Sequence, residues 1–206
     1  MLRTILDEIS YNSSLLVTPS PIAQPREDDV ARAPDFDGAY FRDALGRFAT
    51  GVTIITTRGL DANGEPVLLG FTASSFNSVS LDPPLVLWSL ARTSGTLGVF
   101  RDNSHYAINV LASDQIELSR RFGARFGTGD AGKPDRFDAI AWREGFRGAP
   151  VLEGCCAWFE CFNRSRYDEG DHVIFVGEVE RCGFADREPL IFQGGTYHMT
   201  QPHPDR

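Results

Sequence analysis

The sequence lacks long hydrophobic runs, is poor in cysteine and runs short of positive charge, and each shortage excludes a class of function. No apolar stretch approaches the roughly 20 residues that a membrane helix needs, and the start of the chain lacks the basic residues and apolar core of a secretory signal. Both readings point to the cytoplasm. With 20 basic against 28 acidic residues the formal charge is −8, which argues against a polyanion partner, because a nucleic-acid binder presents a basic face. A nucleotide cofactor asks for less: amides, hydroxyls and a single Arg can hold a phosphate inside an acidic protein. The four cysteines, Cys155, Cys156, Cys161 and Cys182, show no paired two-residue spacing of a zinc knuckle. They read as structural or incidental thiols, and no metal site is expected. The Gly-rich first turn and alternating helices of a dinucleotide fold are absent as well. No familiar acid-base constellation stands out, which counts against a hydrolase.

What is present divides the chain in two. Residues 1–34 scatter Pro19, Pro21, Pro25 and Pro34 among Ser, Asn and the acidic patch Glu27, Asp28 and Asp29. Such a stretch buries too little apolar surface to offset its ordering entropy, so it reads as a flexible N-terminal arm. From 35 to 206 the pattern is that of one domain. Phe41, Ala44, Leu45 and Phe48 recur at the spacing of one helix face beginning near Asp37 and stopped by Gly51. The β-branched run Val52 to Thr57 predicts a strand. A turn at Asp61-Ala62-Asn63-Gly64 and a second strand from Val67 to Phe76 make a hairpin with it. Asp82-Pro83-Pro84 breaks the chain. Leu85 to Leu90 then reads as a buried strand, Ser94 to about Arg101 as a short helix and Tyr106 to Leu111 as a strand. Ser113 is a plausible N-cap for a helix running to Phe122. A loop follows at Gly127 to Pro134. Two long strands, 157–162 and 172–184, are joined by a turn at Asp168-Glu169-Gly170. Six or more strands with few helices predict a mainly β domain with peripheral helices, an antiparallel barrel.

Three segments could carry chemistry. Gly70 to Ser80 holds five hydroxyls, with only small residues between Thr72 and Ser75, so a flat ring or a phosphate could approach its backbone. A Ser-rich turn would look the same. Ser89 to Leu97 passes from a buried strand into a helix, and Arg92, Thr93, Ser94 and Thr96 cluster there as a phosphate site would. An ordinary N-cap with a surface Arg is the alternative. Gly170-Asp171-His172 opens the last long strand, where a lone His is more often structural than functional.

Taken in order, these segments resemble the flavin reductase family of FMN-binding split barrels, the small reductase components of two-component flavin monooxygenases. The likeness runs from Phe36 to Met199. It implies that Thr72, Ala73, Ser74 and Ser75 lie along the flavin ring and ribityl chain, and that Ser89, Arg92, Ser94 and Thr96 take the FMN phosphate. It places Asn109 near the same pocket and associates Gly170, Asp171 and the catalytic candidate His172 with the nicotinamide nucleotide. Tyr197 matches an aromatic residue near the flavin, although Thr196 stands where the family often has a basic residue. The implied activity is NADH- or NADPH-dependent reduction of FMN, with FAD also admitted, in a homodimer that supplies reduced flavin to a separate monooxygenase. The competing readings are an FMN oxidase resembling pyridoxamine-phosphate oxidase and a non-catalytic flavin-binding protein.

Overall fold

The structure, a computed structural model, describes residue 31 and residues 35–60, 63–124 and 135–204. The chain divides into two compact units, Met1–Gly38 and Ala39–Arg206. The arm expected over 1–34, residue 31 apart, half of the turn at 61–64 and the loop at 127–134 lie outside the described residues. Among the described residues of the second unit nearly all regular structure is antiparallel β, in twelve strands: β1 (Thr50–Gly51), β2 (Thr53–Leu60), β3 (Pro66–Ala73), β4 (Asn77–Leu81), β5 (Pro84–Ala91), β6 (His105–Val110), β7 (Trp142–Glu144), β8 (Pro150–Leu152), β9 (Ala157–Glu169), β10 (His172–Phe184), β11 (Ile191–Gln193) and β12 (Thr196–His198). The helices are α1 (Gly38–Leu45), α2 (Leu97–Asp102) and α3 (Ile116–Gly123), with a short 3-10 helix at Phe146–Gly148.

The main sheet has the strand order β3-β2-β6-β9-β10-β5-β4, and that order dictates a curl. Its two edges, β3 and β4, are consecutive in the chain and separated by only Ser74, Ser75 and Phe76. From Ala73 to Asn77 a chain can span at most about 14 Å. The edges of a seven-stranded sheet must therefore be brought round to face each other, leaving a barrel split along one seam. Register shifts on β10 at Val176/Gly177 and Val179/Arg181 are bulges of the kind that add the bend and twist such a curl needs. The seam is where the Thr72 to Ser75 segment lies.

Aromatic packing fills the inside. Trp88 is fully buried and stacks on Phe175 at 4.2 Å and 2°, with Phe100 and Tyr106 edge-on at 5.3 and 5.2 Å. Each such pair adds about 0.5–1.5 kcal/mol beyond the area it buries. A second cluster packs Phe122 of α3 with Val52, Ile54, Leu111 and Leu190. Gly70 permits this approach, because a Cβ there would stand 2.7 Å from Phe122 Cε1. α3 thus lies tight against β3, and a donated bond from Thr72 Oγ1 to Ser119 O at 2.7 Å pins it.

Several elements depart from expectation. α1 ends at Leu45, six residues short of Gly51, and no residue of it is buried. Leu45 is 57% and Phe48 74% exposed. The expected strand Val67 to Phe76 breaks at Ser74, and Asn77–Leu81 is a strand of its own. α2 starts at Leu97 with Thr96 at its N-cap, and α3 starts at Ile116 with Gln115 at its N-cap. Ser113 is therefore not a cap; its amide instead donates to Glu188 O at 2.8 Å. Leu85 to Leu90, Tyr106 to Leu111 and the two long strands lie where the pattern puts them, though β9 runs on to Glu169 and the turn shifts to Gly170-Asp171.

Candidate functional site

The seam opens into a groove whose first part is a cleft of about 530 Å³. One wall is the turn from Leu90 to Thr96 at the end of β5, and the other is Phe71 and Thr72 of β3 with Phe122, Gly123, Ala124 and Arg136. Thr72 continues into a smaller cleft of about 110 Å³ with Val52, Ala73, Ser74, Ser119, Phe192 and Tyr197. Ser74 and Phe192 pass on into a third, of about 640 Å³, bounded by Arg42, Arg47, Phe48 and the Gln193 to Gly195 turn. The groove therefore runs from a hydroxyl-rich turn, past the small residues of the seam, to an aromatic end.

The hydroxyl turn is held by the backbone. Ser94 N donates to Ala91 O at 2.9 Å and Leu97 N to Ser94 O at 3.1 Å, while Thr96 N donates to Ser94 Oγ at 3.3 Å. Ser94 Oγ and Thr96 Oγ1 lie 2.9 Å apart. One of these hydroxyls donates to the other, which leaves a hydroxyl hydrogen to turn toward a ligand. No Asp or Glu stands among the described residues lining the first two clefts, although the chain has 28 acids. An anion entering there meets hydroxyls, backbone and the Arg136 guanidinium, a donor set that fits a phosphate ester. The seam end fits a flat ring, since Ala73 and Ser74 are small and Phe192 and Tyr197 close it at 5.4 Å from each other. Tyr197 OH lies 2.9 Å from Ser119 Oγ, so Thr72, Ser119 and Tyr197 form one hydrogen-bonded wall. Arg120 sits over the Tyr197 ring at 5.9 Å.

Of the residues singled out from the sequence, Thr72, Ala73, Ser74, Ser94, Thr96 and Tyr197 line the groove. Ser75 and Ser89 bond each other instead. Ser89 N donates to Ser75 Oγ at 3.0 Å, and Ser75 Oγ donates to Ser89 O at 3.3 Å, which staples the seam connection to β5. Arg92 is exposed and lines none of the clefts; only its amide is engaged, donating to Asp171 O at 2.9 Å.

Asn109 requires a correction. It is fully buried, and its Nδ2 donates to Ile54 O and Thr56 Oγ1 at 3.0 Å each while its Oδ1 accepts from Leu152 N at 2.8 Å. A ligand contact from that amide would have to break one of these bonds, so Asn109 fastens β6 to β2 and β8.

The third motif is brought beside the second by strand register: His172 pairs with Ala91 across β10 and β5. Gly170 has φ +55, a turn conformation that glycine adopts without strain. His172 Nδ1 lies 2.7 Å from Asp171 Oδ1. The hydrogen bond to His172, then its charge, holds the Asp171 carboxyl below its ordinary value. His172 is at the rim rather than in the lining of the clefts.

Arg136 is absent from the set the sequence points to. It follows the segment 131–134 with no motif around it, and only the approach of β3 and α3 brings it into the cleft. Burial lowers its pKa without approaching neutrality in a guanidinium. Three cysteines are buried and Cys182 is exposed, all free. Burial pushes the Cys155 thiol up to about 12 and raises Cys156 and Cys161 too. No group of His, Cys, Asp and Glu among the described residues is arranged to hold a metal ion.

Known proteins resemble this chain in sequence and fold. Residues 45–201 match the family described as Flavin reductase like domain. The FMN reductase (NADH) SmoA of Agrobacterium fabrum is 45% identical over 157 residues, covering 76% of this chain and 83% of that protein. The reductase component of the flavin-dependent trigonelline monooxygenase of Acinetobacter baylyi is 43% identical over 156 residues, covering 76% of this chain; the chain spans about half of that longer protein, 47%. Among solved structures, the NADH:FAD oxidoreductase SgcE6 of Streptomyces globisporus, in complex with NAD and FAD fragments, superposes with a TM-score of 0.72 at 34% identity, covering 82% of this chain and 96% of that one. With its mainly antiparallel split-barrel architecture and a matching stretch that takes in nearly the whole barrel, the chain belongs to the flavin reductase family.

Proposed function

We propose that this flavin reductase binds FMN along the seam groove, reduces it with NADH and releases reduced flavin to a separate monooxygenase. The observation that carries the reading is the lining that joins the Ser94–Thr96 turn to Tyr197 through Thr72, Ala73 and Ser74, with no acid among its described residues. In that reading the phosphate meets the Ser94 and Thr96 hydroxyls, and the ring lies along the Thr72 to Ser74 backbone against Tyr197. When bound, a flavin supplies the redox chemistry itself, its ring accepting a hydride from the reduced nicotinamide.

The protein's part is to bind, orient and exclude. Small side chains at Ala73 and Ser74 let backbone amides approach the ring, where fixed N–H dipoles favour the negative charge of a reduced flavin. The Thr72–Ser119–Tyr197 wall is already ordered, so little is lost in arranging it around a ligand. At the rim, Asp171 fixes His172 Nδ1, which leaves Nε2 as the atom facing a nicotinamide nucleotide and suits an orienting role. No proton-transfer role is assigned to it.

Two further parts belong to this proposal. The exposed Leu45 and Phe48 beside α1, and Val79 and Leu81 on the edge strand β4, at 49% and 81% exposure, are apolar surface that a second copy of the chain would cover in an isologous dimer. Among the described residues no helix is long and apolar enough to cross a membrane, and the cytoplasm is the proposed location.

The test is a steady-state assay that varies FMN, FAD, NADH and NADPH independently. Oxidation of the nicotinamide that depends on flavin is the expected result, and its absence at every flavin concentration would overturn the proposal. An ordinary sedimentation experiment tests the dimer, whose expected mass is twice that of the chain.

A further inference from the structure

Tyr197 stands at the ring end of the groove on a slight support. Its strand β12 is three residues long and lies at the edge of the small sheet β1-β11-β12, entered through Gly194 and Gly195, both at positive φ. An edge strand this short is bonded to one neighbour only, and by itself it holds a side chain loosely. Phe192 and Arg120 flank the ring at 5.4 and 5.9 Å. Among the described residues the one hydrogen bond of the Tyr197 side chain is to Ser119 Oγ, at 2.9 Å. We propose that Ser119 is a positioning residue for flavin reduction, acting through the Tyr197 hydroxyl to set where that ring stands against the flavin; the inference rests on the groove assignment above.

Helix formation alone does not ask for a serine at this place. Inside a helix Ala is the better former, and a Ser hydroxyl competes for backbone partners. Ser119 is nevertheless 2% exposed in the middle of α3, with its hydroxyl turned to Tyr197. The base that carries it is rigid. Phe122, 1% exposed, fastens α3 into the core edge-on to Phe137 at 5.2 Å. Gly123, one turn beyond Ser119, lies against Thr72, where a Cβ on it would stand 3.7 Å from Thr72 Cβ and Oγ1. Ser119 therefore meets both sides of the smaller cleft. Its carbonyl accepts from Thr72 of the main sheet, and its hydroxyl reaches Tyr197 of the small sheet. A flat ring entering between them finds two walls spaced by a single residue, which is the kind of fixed geometry that orients a reacting ring.

The experiment is a double-mutant cycle on the full chain: Ser119→Ala, Tyr197→Phe and the two together, each titrated with FMN and with riboflavin. Ser119→Ala removes only the hydroxyl. The carbonyl that Thr72 uses stays, and Ala suits a helix interior, so the fold is retained, as denaturant unfolding checks. Each single variant should weaken FMN and riboflavin alike by roughly 2- to 12-fold, the worth of one lost hydrogen bond, and the pair should lose no more than either alone. A phenol beside an excited flavin quenches its emission by giving it an electron, so the second readout is the fluorescence lifetime of the bound flavin. That lifetime should lengthen in Ser119→Ala, and adding Ser119→Ala to Tyr197→Phe should leave it where Tyr197→Phe alone puts it. Losses that multiply in the pair, or a lifetime that Ser119→Ala does not move, would make Ser119 a packing residue of α3 and overturn the inference. Tyr197→Leu separates this failure from that of the groove assignment. If loss of the aromatic ring changes affinity and lifetime while Ser119→Ala changes neither, the flavin is there and only the positioning role falls. If Tyr197→Leu changes neither, the flavin ring lies elsewhere and both ideas fall.

Discussion

Two polar clusters built from similar residues, one on β2 and β6 and one in the turn between β5 and α2, do opposite things. In the interior, Thr56, Asn109 and Thr57 are fully buried. Asn109 makes three bonds within the protein, Thr56 Oγ1 donates to Pro150 O at 2.5 Å, and Thr57 Oγ1 donates to His105 O at 2.8 Å. At the seam, Ser94 and Thr96 bond each other and the turn backbone, and their cleft is open. The difference is one of remaining capacity. Where every donor and acceptor is spent on protein, a polar residue is part of the scaffold; where a hydrogen is left over beside an acid-free opening, it can serve a ligand.

The contrast can be broken at either cluster. Asn109→Ala leaves Leu152 N unpaired in the interior and should cost about 2–4 kcal/mol of stability, read by denaturant unfolding, with the FMN-to-riboflavin ratio of the folded protein unchanged. A shifted ratio would return Asn109 to the site. Ser94→Ala with Thr96→Val should do the reverse: FMN weakens by about 1.5–3 kcal/mol for each phosphate bond lost, less than additively because the two hydroxyls touch, and riboflavin is spared. Equal loss of both flavins would place the phosphate elsewhere.

His172→Ala should raise the KM for NADH by roughly 5- to 150-fold, the cost of about 1–3 kcal/mol for a lost orienting contact, with flavin affinity retained. Matching losses in both would make it a structural residue. At the ring end, Tyr197→Phe removes the bond to Ser119 and should weaken FMN and riboflavin alike by about 0.5–1.5 kcal/mol. Selective loss of FMN would contradict the polarity of the groove. The smallest effect concerns pH. The Asp171 carboxyl titrates below its ordinary value, so its contact with His172 is fully present at neutral pH and is lost as pH falls through that lowered value. The KM for NADH should therefore rise only in acid, and Asp171→Asn should abolish that rise.

How much of this was legible beforehand follows from the physics of each element. β2, β5, β6, β9 and β10 announce themselves through β-branched and apolar runs, and the hairpins through their turns. β4 does not, because its five residues, Asn-Ser-Val-Ser-Leu, form an edge strand with no buried residue and too short an alternation to stand out from the Ser-rich segment before it. β7, β8, β11 and β12 are three residues each, too short for any period. The same limit governs the site. Thr72 to Ser74, Ser94 and Thr96 could be found because hydroxyls cluster in sequence beside a strand end. Asn109 was misjudged because position on a strand gives its face but not its bonding partners. Arg136 was missed because its place depends on β3 and α3 meeting around it, which local sequence does not encode. The apolar face of α1 was legible from its spacing, but helical periodicity names such a face without naming what covers it, and no residue of α1 is buried within the chain.

The most direct measurement of the central claim is an experimental structure of the protein with FMN bound. The account predicts the phosphate within hydrogen-bond distance of Ser94 and Thr96 and the ring along Thr72 to Ser74, with Asn109 still bonded to Ile54, Thr56 and Leu152. A phosphate seated instead in the third cleft beside Arg42 and Arg47, or a ring that does not touch the seam, would contradict it.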